Sequence, residues 1–209
     1  MKMIFASDSF KGSLSSQQVL TLLKQAAEQV FPGVKTSGVL MADGGEGTVD
    51  ALVSQLGGTY ETIVVHDPCF CLNKARYGVL PEGRAVIEMA AASGLPMIPE
   101  DKRNPMETTS YGTGELIAHA LSRGIRKIAI AIGGSATNDG GMGMLAALGV
   151  KFLDESGNLL RGCGGDLEKV ASIDLSGLHP AVRETEFTVM CDVTNPLLGP
   201  EGATFTFSA

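Results

Sequence analysis

The segment from residue 127 to residue 149, KIAIAIGGSATNDGGMGMLAALG, constrains the fold of this chain more than any other. Its first part, Ile128 to Ile132, is short, apolar and rich in β-branched residues, which predicts a strand buried on both faces. The spacing of Met142, Leu145 and Ala146 predicts a helix after the turn. A strand, a glycine turn and a helix N-terminus together favour anion binding, because unpaired N–H groups and the positive end of the helix dipole point to one place. The candidate residues of the turn are Gly133, Gly134, Ser135, Thr137, Asn138 and Asp139.

Chain reversal alone explains many glycine-rich turns of this kind, so this alternative stays open beside anion binding.

Two known phosphate-binding motifs fit the sequence poorly. A Walker A loop requires a Gly-Lys pair, which the sequence lacks. The residues Gly141, Gly143 and Ala146 match the dinucleotide-binding pattern GxGxxA, but they begin inside the predicted helix, where the tight turn would be misplaced.

Length, charge and cysteine usage exclude several classes of protein. A chain of 209 residues allows one large or two small domains. The formal net charge of −7 and the absence of a Lys/Arg cluster argue against nucleic acid or an anionic membrane as the main partner. The N-terminal apolar run is too short for a signal peptide and no membrane-spanning apolar run follows, so we expect a soluble cytoplasmic protein. In that setting, the four cysteines are expected to be reduced thiols.

Strand-like and helix-like segments alternate along the chain, which predicts an α/β fold. An apolar run from Met3 to Ser7 is followed by a helix whose start is marked by a capping box of Ser15 and Gln18. A second strand at residues 39–42 and a helix at residues 49–56 complete a βαβα order. The pattern then predicts hairpin strands at 60–65, 75–80 and 85–89, a helix ending at Gly124, and later strands at 151–153 and 187–191.

Four aspartates, Asp8, Asp43, Asp139 and Asp192, come at or just after the end of a predicted strand. Because ligands bind at the carboxyl edge of parallel sheets, we expect these carboxylates to converge. Carboxylates without a matching set of His and Cys favour Mg²⁺ over zinc. With Lys11 as a phosphate clamp, the set suits phosphoryl transfer. For each aspartate taken alone, the alternative is an ordinary helix cap or turn residue, and Lys11 alone fits a solvated loop charge.

Two other kinds of site are disfavoured. His66, Cys69 and Cys71 form an HxxCxC cluster, but no second pair has matching spacing, so packing is favoured over a metal site. No serine lies in a GxSxG context, which disfavours serine hydrolase chemistry.

Six blocks of the sequence resemble the glycerate kinase type I family and occur in that family's order. They are DSFKGSLSS at 8–16, MADGGEGT at 41–48, VIEMAAASGL at 86–95, TTSYGTGE at 108–115, IGGSATNDGGMGMLAALG at 132–149 and CDVTNPLLGPEGAT at 191–204. The resemblance implies phosphorylation of D-glycerate by ATP with Mg²⁺, to 2-phosphoglycerate or 3-phosphoglycerate. It also implies a Rossmann-like parallel sheet domain plus a second, inserted α/β domain. We expect residues 1–65 to be the N-terminal segment of the first domain and residues 66–209 to be the second.

The resemblance also implies a division of the site residues between two walls of a cleft. One wall would hold Ser7, Asp8, Lys11, Asp43, Gly44 and Glu46. The other would hold Ser110, Gly133, Gly134, Ser135, Asn138, Asp139, Asp192 and Asn195. Within these sets, Lys11, Asp43 and Asp192 are the expected catalytic residues, with Asp192 or Asp43 as the base. Asp139 and Asp192 are the expected Mg²⁺ ligands.

The sequence departs from the family pattern at its end. Family members continue past the GAT block, whereas this chain reads FTFSA after it. We therefore expect the C-terminal part of the family fold to be missing. This leaves two alternatives: a glycerate kinase, which could form a homo-oligomer, and a catalytically silent remnant. A nicotinamide-dependent oxidoreductase is a third and weaker alternative.

Overall fold

The structure, a computed structural model, describes residues 1–10 and 13–208. Within these residues, the strands are β1 (Lys2–Ser7), β2 (Lys35–Leu40), β3 (Thr59–His66), β4 (Leu72–Leu80), β5 (Arg84–Glu88), β6 (Lys127–Ala131), β7 (Lys151–Leu153), β8 (Ser172–Asp174) and β9 (Glu186–Met190). The α-helices are α1 (Ser16–Val30), α2 (Thr48–Leu56), α3 (Ala90–Ser93), α4 (Tyr111–Ser122), α5 (Met142–Ala147) and α6 (Ala203–Phe207). Short 3₁₀ helices cover Pro81–Gly83, Leu95–Met97, Glu100–Lys102, Gly164–Lys169 and Pro180–Glu184.

A five-stranded mixed sheet with the order β3-β4-β5-β6-β9 is the largest of the described sheets. The pairs β3–β4 and β4–β5 are antiparallel, whereas β5–β6 and β6–β9 are parallel. Two smaller sheets pair β1 with β2 in parallel and β7 with β8 antiparallel. The predicted α/β class and the predicted hairpins are thus confirmed. The carboxyl ends of β5, β6 and β9 lie at one edge, where a ligand site is expected in such sheets.

Strand β6 is covered on both faces, as its apolar sequence predicts. Ile128 and Ile130 face a core formed with Leu116 and Leu121 of α4. Ala129 points the other way, towards the cluster around Val49 at the start of α2. Because its side chains are packed on both sides and its backbone pairs with β5 and β9, this strand fixes the position of the glycine turn that follows it.

The first βαβ unit begins with the predicted capping box. The Ser15 hydroxyl accepts a hydrogen bond from the backbone N–H of Gln18, and the Gln18 side chain accepts one from the N–H of Ser15. The helix that follows, α1, has 15 residues and places Val19, Leu20 and Ala27 in the interior. Among the described residues, no helix has the length and apolar character needed to cross a bilayer.

The expected domain boundary lies close to the end of one strand. Strand β3 pairs with β4 from the Thr59–Val79 pair to the His66–Leu72 pair, so the five-stranded sheet includes residues on both sides of residue 65. The division into residues 1–65 and 66–209 stays a prediction. The sequence pattern missed β8, α3 and α6, which have three, four and five residues and are too short to show a period.

Replacing Ser15 by alanine removes the hydroxyl that caps α1. We expect Ser15→Ala to lower the free energy of unfolding by about 1 kcal/mol, because the backbone N–H of Gln18 loses its acceptor. Urea unfolding followed by circular dichroism measures this. The control Gln25→Ala lies on the exposed face of the same helix and should change the unfolding free energy by less than about 0.5 kcal/mol. An equal loss in both variants would contradict a specific capping role.

Candidate active site

A cleft of about 780 Å³ opens between the loop after β1, the first turn of α2 and the carboxyl ends of β5 and β6. Serines from the loop and the start of α1 form one side. The start of α2, the end of β5 and the turn after β6 form the other. The lining residues with chemical importance are Ser15, Ser16, Glu46, Gly47, Asp50, Arg76, Glu88 and Gly134.

Two glycine-rich loops touch each other beside this cleft. The backbone N–H of Gly133 donates a hydrogen bond to the carbonyl of Gly44 at 3.1 Å. A Cβ atom at Gly133 would lie 2.7 Å from the Cα of Gly45, so only glycine allows this approach. The DGGEG loop and the GGSATND turn are therefore joined, and Glu46 of the first and Gly134 of the second line the same cleft.

The GGSATND turn is also fixed against α3. The carbonyl of Gly134 accepts a hydrogen bond from the N–H of Leu95 at 2.9 Å, and the N–H of Ala136 donates to the carbonyl of Ser93 at 2.9 Å. Within the turn, the Ser135 hydroxyl accepts a hydrogen bond from the N–H of Thr137 at 3.0 Å. The conformation of the turn is therefore fixed by hydrogen bonds within the protein.

The carboxylate of Asp139 is buried and joins two helices at their N-termini. Its Oδ2 accepts hydrogen bonds from the N–H and the hydroxyl of Ser110, at 2.7 and 2.8 Å, and from the N–H of Gly143 at 3.2 Å. Its Oδ1 accepts one from the N–H of Gly141 at 2.9 Å. The Ser110 hydroxyl in turn accepts a hydrogen bond from the N–H of Met144 at 2.9 Å. Ser110 precedes α4 and Gly141 precedes α5, so one carboxylate satisfies donors at both helix starts.

This arrangement revises the expected anion cradle. The sequence predicts that N–H groups at the start of α5 bind an external anion, but the N–H groups of Gly143 and Met144 bind the protein's own Asp139 and Ser110. A Cβ atom at Gly143 would collide with the Thr109 hydroxyl, so the glycine permits close contact with the segment before α4. The part of the turn that faces the cleft is Gly134, not the start of α5.

The described residues do not fit a Mg²⁺ site built on Asp139. Both of its oxygens already accept hydrogen bonds from the chain, and within residues 1–10 and 13–208 no three His, Cys, Asp or Glu side chains are grouped to hold a metal. Asp192 lies two residues beyond β9 and is exposed. The assignment of Asp139 and Asp192 as metal ligands stays a prediction without support from these contacts.

Glu88, the last residue of β5, lies in the cleft with its carboxylate half-buried. Its Oε1 accepts a hydrogen bond from the backbone N–H of Val49, in the first turn of α2, at 2.7 Å. Burial raises the pKa of the Glu88 carboxyl above its usual range, and the charges of Asp50 and Glu46 raise it further. The hydrogen bond from Val49 opposes this rise because it favours the charged form.

Arg76 of β4 brings a positive charge to the cleft. Its Nη2 lies 2.8 Å from Oδ1 and 3.0 Å from Oδ2 of Asp50, and its guanidinium lies over the Tyr60 ring at 4.6 Å from the centroid. The Tyr60 hydroxyl donates to the same Asp50 carboxylate at 2.8 Å. Burial raises the pKa of Tyr60, and the hydrogen bond to Asp50 raises it further.

Three further residues that the sequence places in the site, Ser7, Asp8 and Asp43, differ from one another in burial and in hydrogen bonding. The Ser7 hydroxyl is buried and has no hydrogen-bond partner among the described residues, while Oδ1 of Asp8 accepts from the N–H of Ser9 at 2.6 Å. Asp43 is exposed and accepts from the N–H of Gly45 at 3.0 Å. Lys11 lies outside the described residues.

Two amide side chains bind the C-terminal segment. The Asn138 Nδ2 donates to the Thr204 hydroxyl at 3.0 Å, which connects the GGSATND turn to α6. The Asn195 Nδ2 donates to the carbonyl of Glu201 at 3.0 Å. Neither residue lines the cleft described above, so their expected role in ligand binding stays a prediction.

Sequence reasoning missed Glu88, Asp50 and Arg76 as cleft residues. A signal for Glu88 was present, because a carboxylate ends the otherwise apolar strand segment AVIE inside one of the six blocks. Arg76 and Asp50 gave no signal, since charged residues on a hairpin strand and on a helix usually face solvent.

The fold and the cleft define an α/β protein with a cleft beside two glycine-rich loops at the carboxyl edge of its sheet. The model of the glycerate kinase family matches residues 3–209, and this chain belongs to that family. It is 50% identical over 208 residues to a glycerate kinase of Bacillus subtilis and 46% identical to a glycerate 2-kinase of Escherichia coli. These matches cover 99% of this chain and 54% and 55% of the two relatives.

A solved structure shows the same fold. A crystal structure of a protein assigned as glycerate kinase 2 from Salmonella typhimurium LT2 superposes with a TM-score of 0.86 at 47% identity. The match covers 100% of this chain and 56% of the solved chain. This chain therefore spans about half the length of the relatives it matches.

Replacing Asp139 tests its role in joining α4 and α5. We expect Asp139→Ala to lower the free energy of unfolding by about 3 kcal/mol or more, because buried donors lose their charged acceptor. The control Asp154→Ala removes a carboxylate that also accepts three hydrogen bonds, but in a surface turn. Urea unfolding should show a much smaller loss for the control, and similar losses in both variants would contradict the proposed importance of burial.

The stability of the chain should depend on pH through Glu88. Because its folded-state pKa is raised, its contribution to stability is present below the unfolded-state pKa and is lost as the pH rises through the folded-state pKa. Glu88→Gln cannot ionise. The unfolding free energy of this variant, relative to that of the unchanged chain, should therefore increase as the pH rises above the usual range of a glutamate carboxyl. Urea unfolding at several pH values measures this. The exposed control Glu155→Gln should show no such trend, and a flat difference for Glu88→Gln would contradict the raised pKa.

Proposed function

We propose that this chain supplies a substrate-binding cleft of an ATP-dependent glycerate kinase. The observation that carries the proposal is the direct contact of the DGGEG loop with the GGSATND turn beside a cleft at the carboxyl edge of the sheet. Membership of the glycerate kinase family supports glycerate as the phosphoryl acceptor. The name of the Escherichia coli relative, glycerate 2-kinase, favours 2-phosphoglycerate over 3-phosphoglycerate as the product.

The proposed chemistry is transfer of the terminal phosphoryl group of ATP to a hydroxyl of D-glycerate. Catalysis of this reaction depends mainly on positioning and on neutralising negative charge. Fixed backbone at Gly133 and Gly134 would position one reactant, and Lys11 would neutralise charge on the phosphate or on the glycerate carboxylate. Asp43 or Asp192 would accept the proton of the attacking hydroxyl, which contributes about 10²–10⁴-fold to such rates.

Mg²⁺ normally accompanies ATP and shields the charge of its phosphates. The contacts of Asp139 give no support for a magnesium site at that residue, so we assign no step to the metal. We also propose that the protein is located in the cytoplasm.

The second candidate function is that of a chain that folds but does not catalyse phosphoryl transfer on its own. Phe187 and Val189 of β9 are exposed at 37% and 57%, and they continue the apolar face that Ile128 and Ile130 present to α4. An apolar face of this kind also fits self-association into a homo-oligomer.

An oxidoreductase is disfavoured, because Gly143 of the GxGxxA pattern is buried against Asp139 and the segment before α4.

A coupled assay of ADP release tests the proposed function. With D-glycerate, ATP and Mg²⁺, we expect ADP formation that depends on D-glycerate, since the cleft would align the two reactants. The matched control omits D-glycerate and reports background ATP hydrolysis. No glycerate-dependent turnover at high protein concentration would favour the catalytically silent chain.

The identity of the base is tested by Asp43→Asn and Asp192→Asn in the same assay. The variant that removes the base should lower kcat by about 10²–10⁴-fold, because an amide cannot accept the proton. The control Asp174→Asn, at the end of the short strand β8, should keep full activity. Full kcat in Asp43→Asn or in Asp192→Asn excludes that residue as the base.

A further inference from the structure

Glu88 lies where the sheet meets the cleft. It ends β5, whose backbone pairs on one side with β4 and on the other with β6. The residues before it, Val86 and Ile87, are fully buried on opposite faces of the sheet. The pairing with β4 extends to Val86 and the pairing with β6 includes Glu88 itself, so the carboxylate projects from a fixed strand end, at the edge where the cleft opens.

The hydrogen bond of Glu88 reaches the element that carries the opposite loop. Val49 is the second residue of α2, and its N–H is one of the first-turn donors that have no partner within the helix. The residue that precedes α2, Gly47, has a left-handed φ of 91° and provides no side-chain cap. Glu88 supplies the missing acceptor from another part of the chain, with a bond of 2.7 Å. Its negative charge also suits the positive end of the α2 dipole.

The loop before α2 has both local and long-range contacts. Locally, the Thr48 hydroxyl donates to the carbonyl of Gly45 at 2.8 Å. Asp50 of α2 also binds Arg76 and Tyr60 of the main sheet. Backbone N–H groups form further hydrogen bonds between this region and the rest of the chain: Gly133 N–H to the Gly44 carbonyl, and Val49 N–H to Glu88. They lie at the two ends of the segment that contains Glu46 and Gly47, both of which line the cleft.

We infer that Glu88 is a positioning residue, whose carboxylate holds the N-terminus of α2 and thereby sets the Glu46–Gly47 side of the cleft for binding of a small hydroxy acid. The identity of that acid as D-glycerate rests on the proposed function. The Gly133–Gly44 contact fixes one end of the segment and Glu88 fixes the other. Loss of the carboxylate should loosen the segment without unfolding the sheet.

Amide hydrogen exchange measured by NMR tests this inference on the intact chain. In Glu88→Ala, exchange at Val49 should rise about 10-fold or more, because a hydrogen bond to a charged acceptor is lost. Exchange at Ile128 in the central strand should stay within about 3-fold of its original rate. Glu88→Gln keeps an acceptor oxygen and should restore protection at Val49. The control Glu61→Ala removes a half-buried carboxylate of the same sheet, which pairs with Arg123, and should leave Val49 unchanged.

Calorimetric titration with D-glycerate provides the second measurement. Binding should weaken in Glu88→Ala by a factor similar to the increase in Val49 exchange, and Glu88→Gln should restore it. Unchanged exchange at Val49, or equal increases at Val49 and Ile128, would overturn the positioning role. Weak binding in Glu88→Gln with Val49 still protected would also overturn it, because Glu88 would then contact the ligand directly. If the unchanged chain does not bind D-glycerate, the proposed function fails, and the exchange result alone decides whether Glu88 holds the loop.

Discussion

The buried carboxylate of Asp139 is the interaction on which the cleft side of the structure depends. It accepts hydrogen bonds from groups at the starts of two helices, α4 and α5, and so fixes both helices to the turn that follows the central strand β6. A buried carboxylate is stable only with such a set of donors. Because the same turn contacts the DGGEG loop through Gly133, the geometry of the cleft depends on the position that Asp139 gives the turn.

A second carboxylate has a comparable role on the other side of the cleft. Glu88 binds the start of α2 from the end of β5, as Asp139 binds the start of α5 from the end of the β6 turn. In both cases, an acid at the carboxyl edge of the sheet satisfies N–H groups at a helix start. The helix starts are thus occupied by the chain, and the loops that these bonds hold line the cleft at Glu46, Gly47 and Gly134.

The fold was largely predictable because its elements have strong local signals. The capping box at Ser15, the alternating hairpin strands and the apolar β6 each depend on neighbours in sequence. The sequence indicated the two loops of the candidate site, and Glu46 and Gly134 of these loops line one cleft; their role in ligand binding stays a prediction. The hydrogen-bond partner of each carboxylate was not predictable from the sequence. Asp139 binds Ser110, which is 29 residues away in sequence, and Glu88 binds Val49, which is 39 residues away. A sequence pattern shows that an acid ends a strand, but not whether it faces a ligand or a helix start.

The DGGEG loop and the GGSATND turn are proposed to form one binding surface. Titration of the ¹⁵N-labelled chain with D-glycerate, followed by amide chemical shifts, tests this directly. Shifts at both Glu46–Gly47 and Gly133–Gly134, with the same dependence on ligand concentration, are the predicted result. Shifts confined to one of the two loops, or centred on residues outside the cleft, would contradict the account.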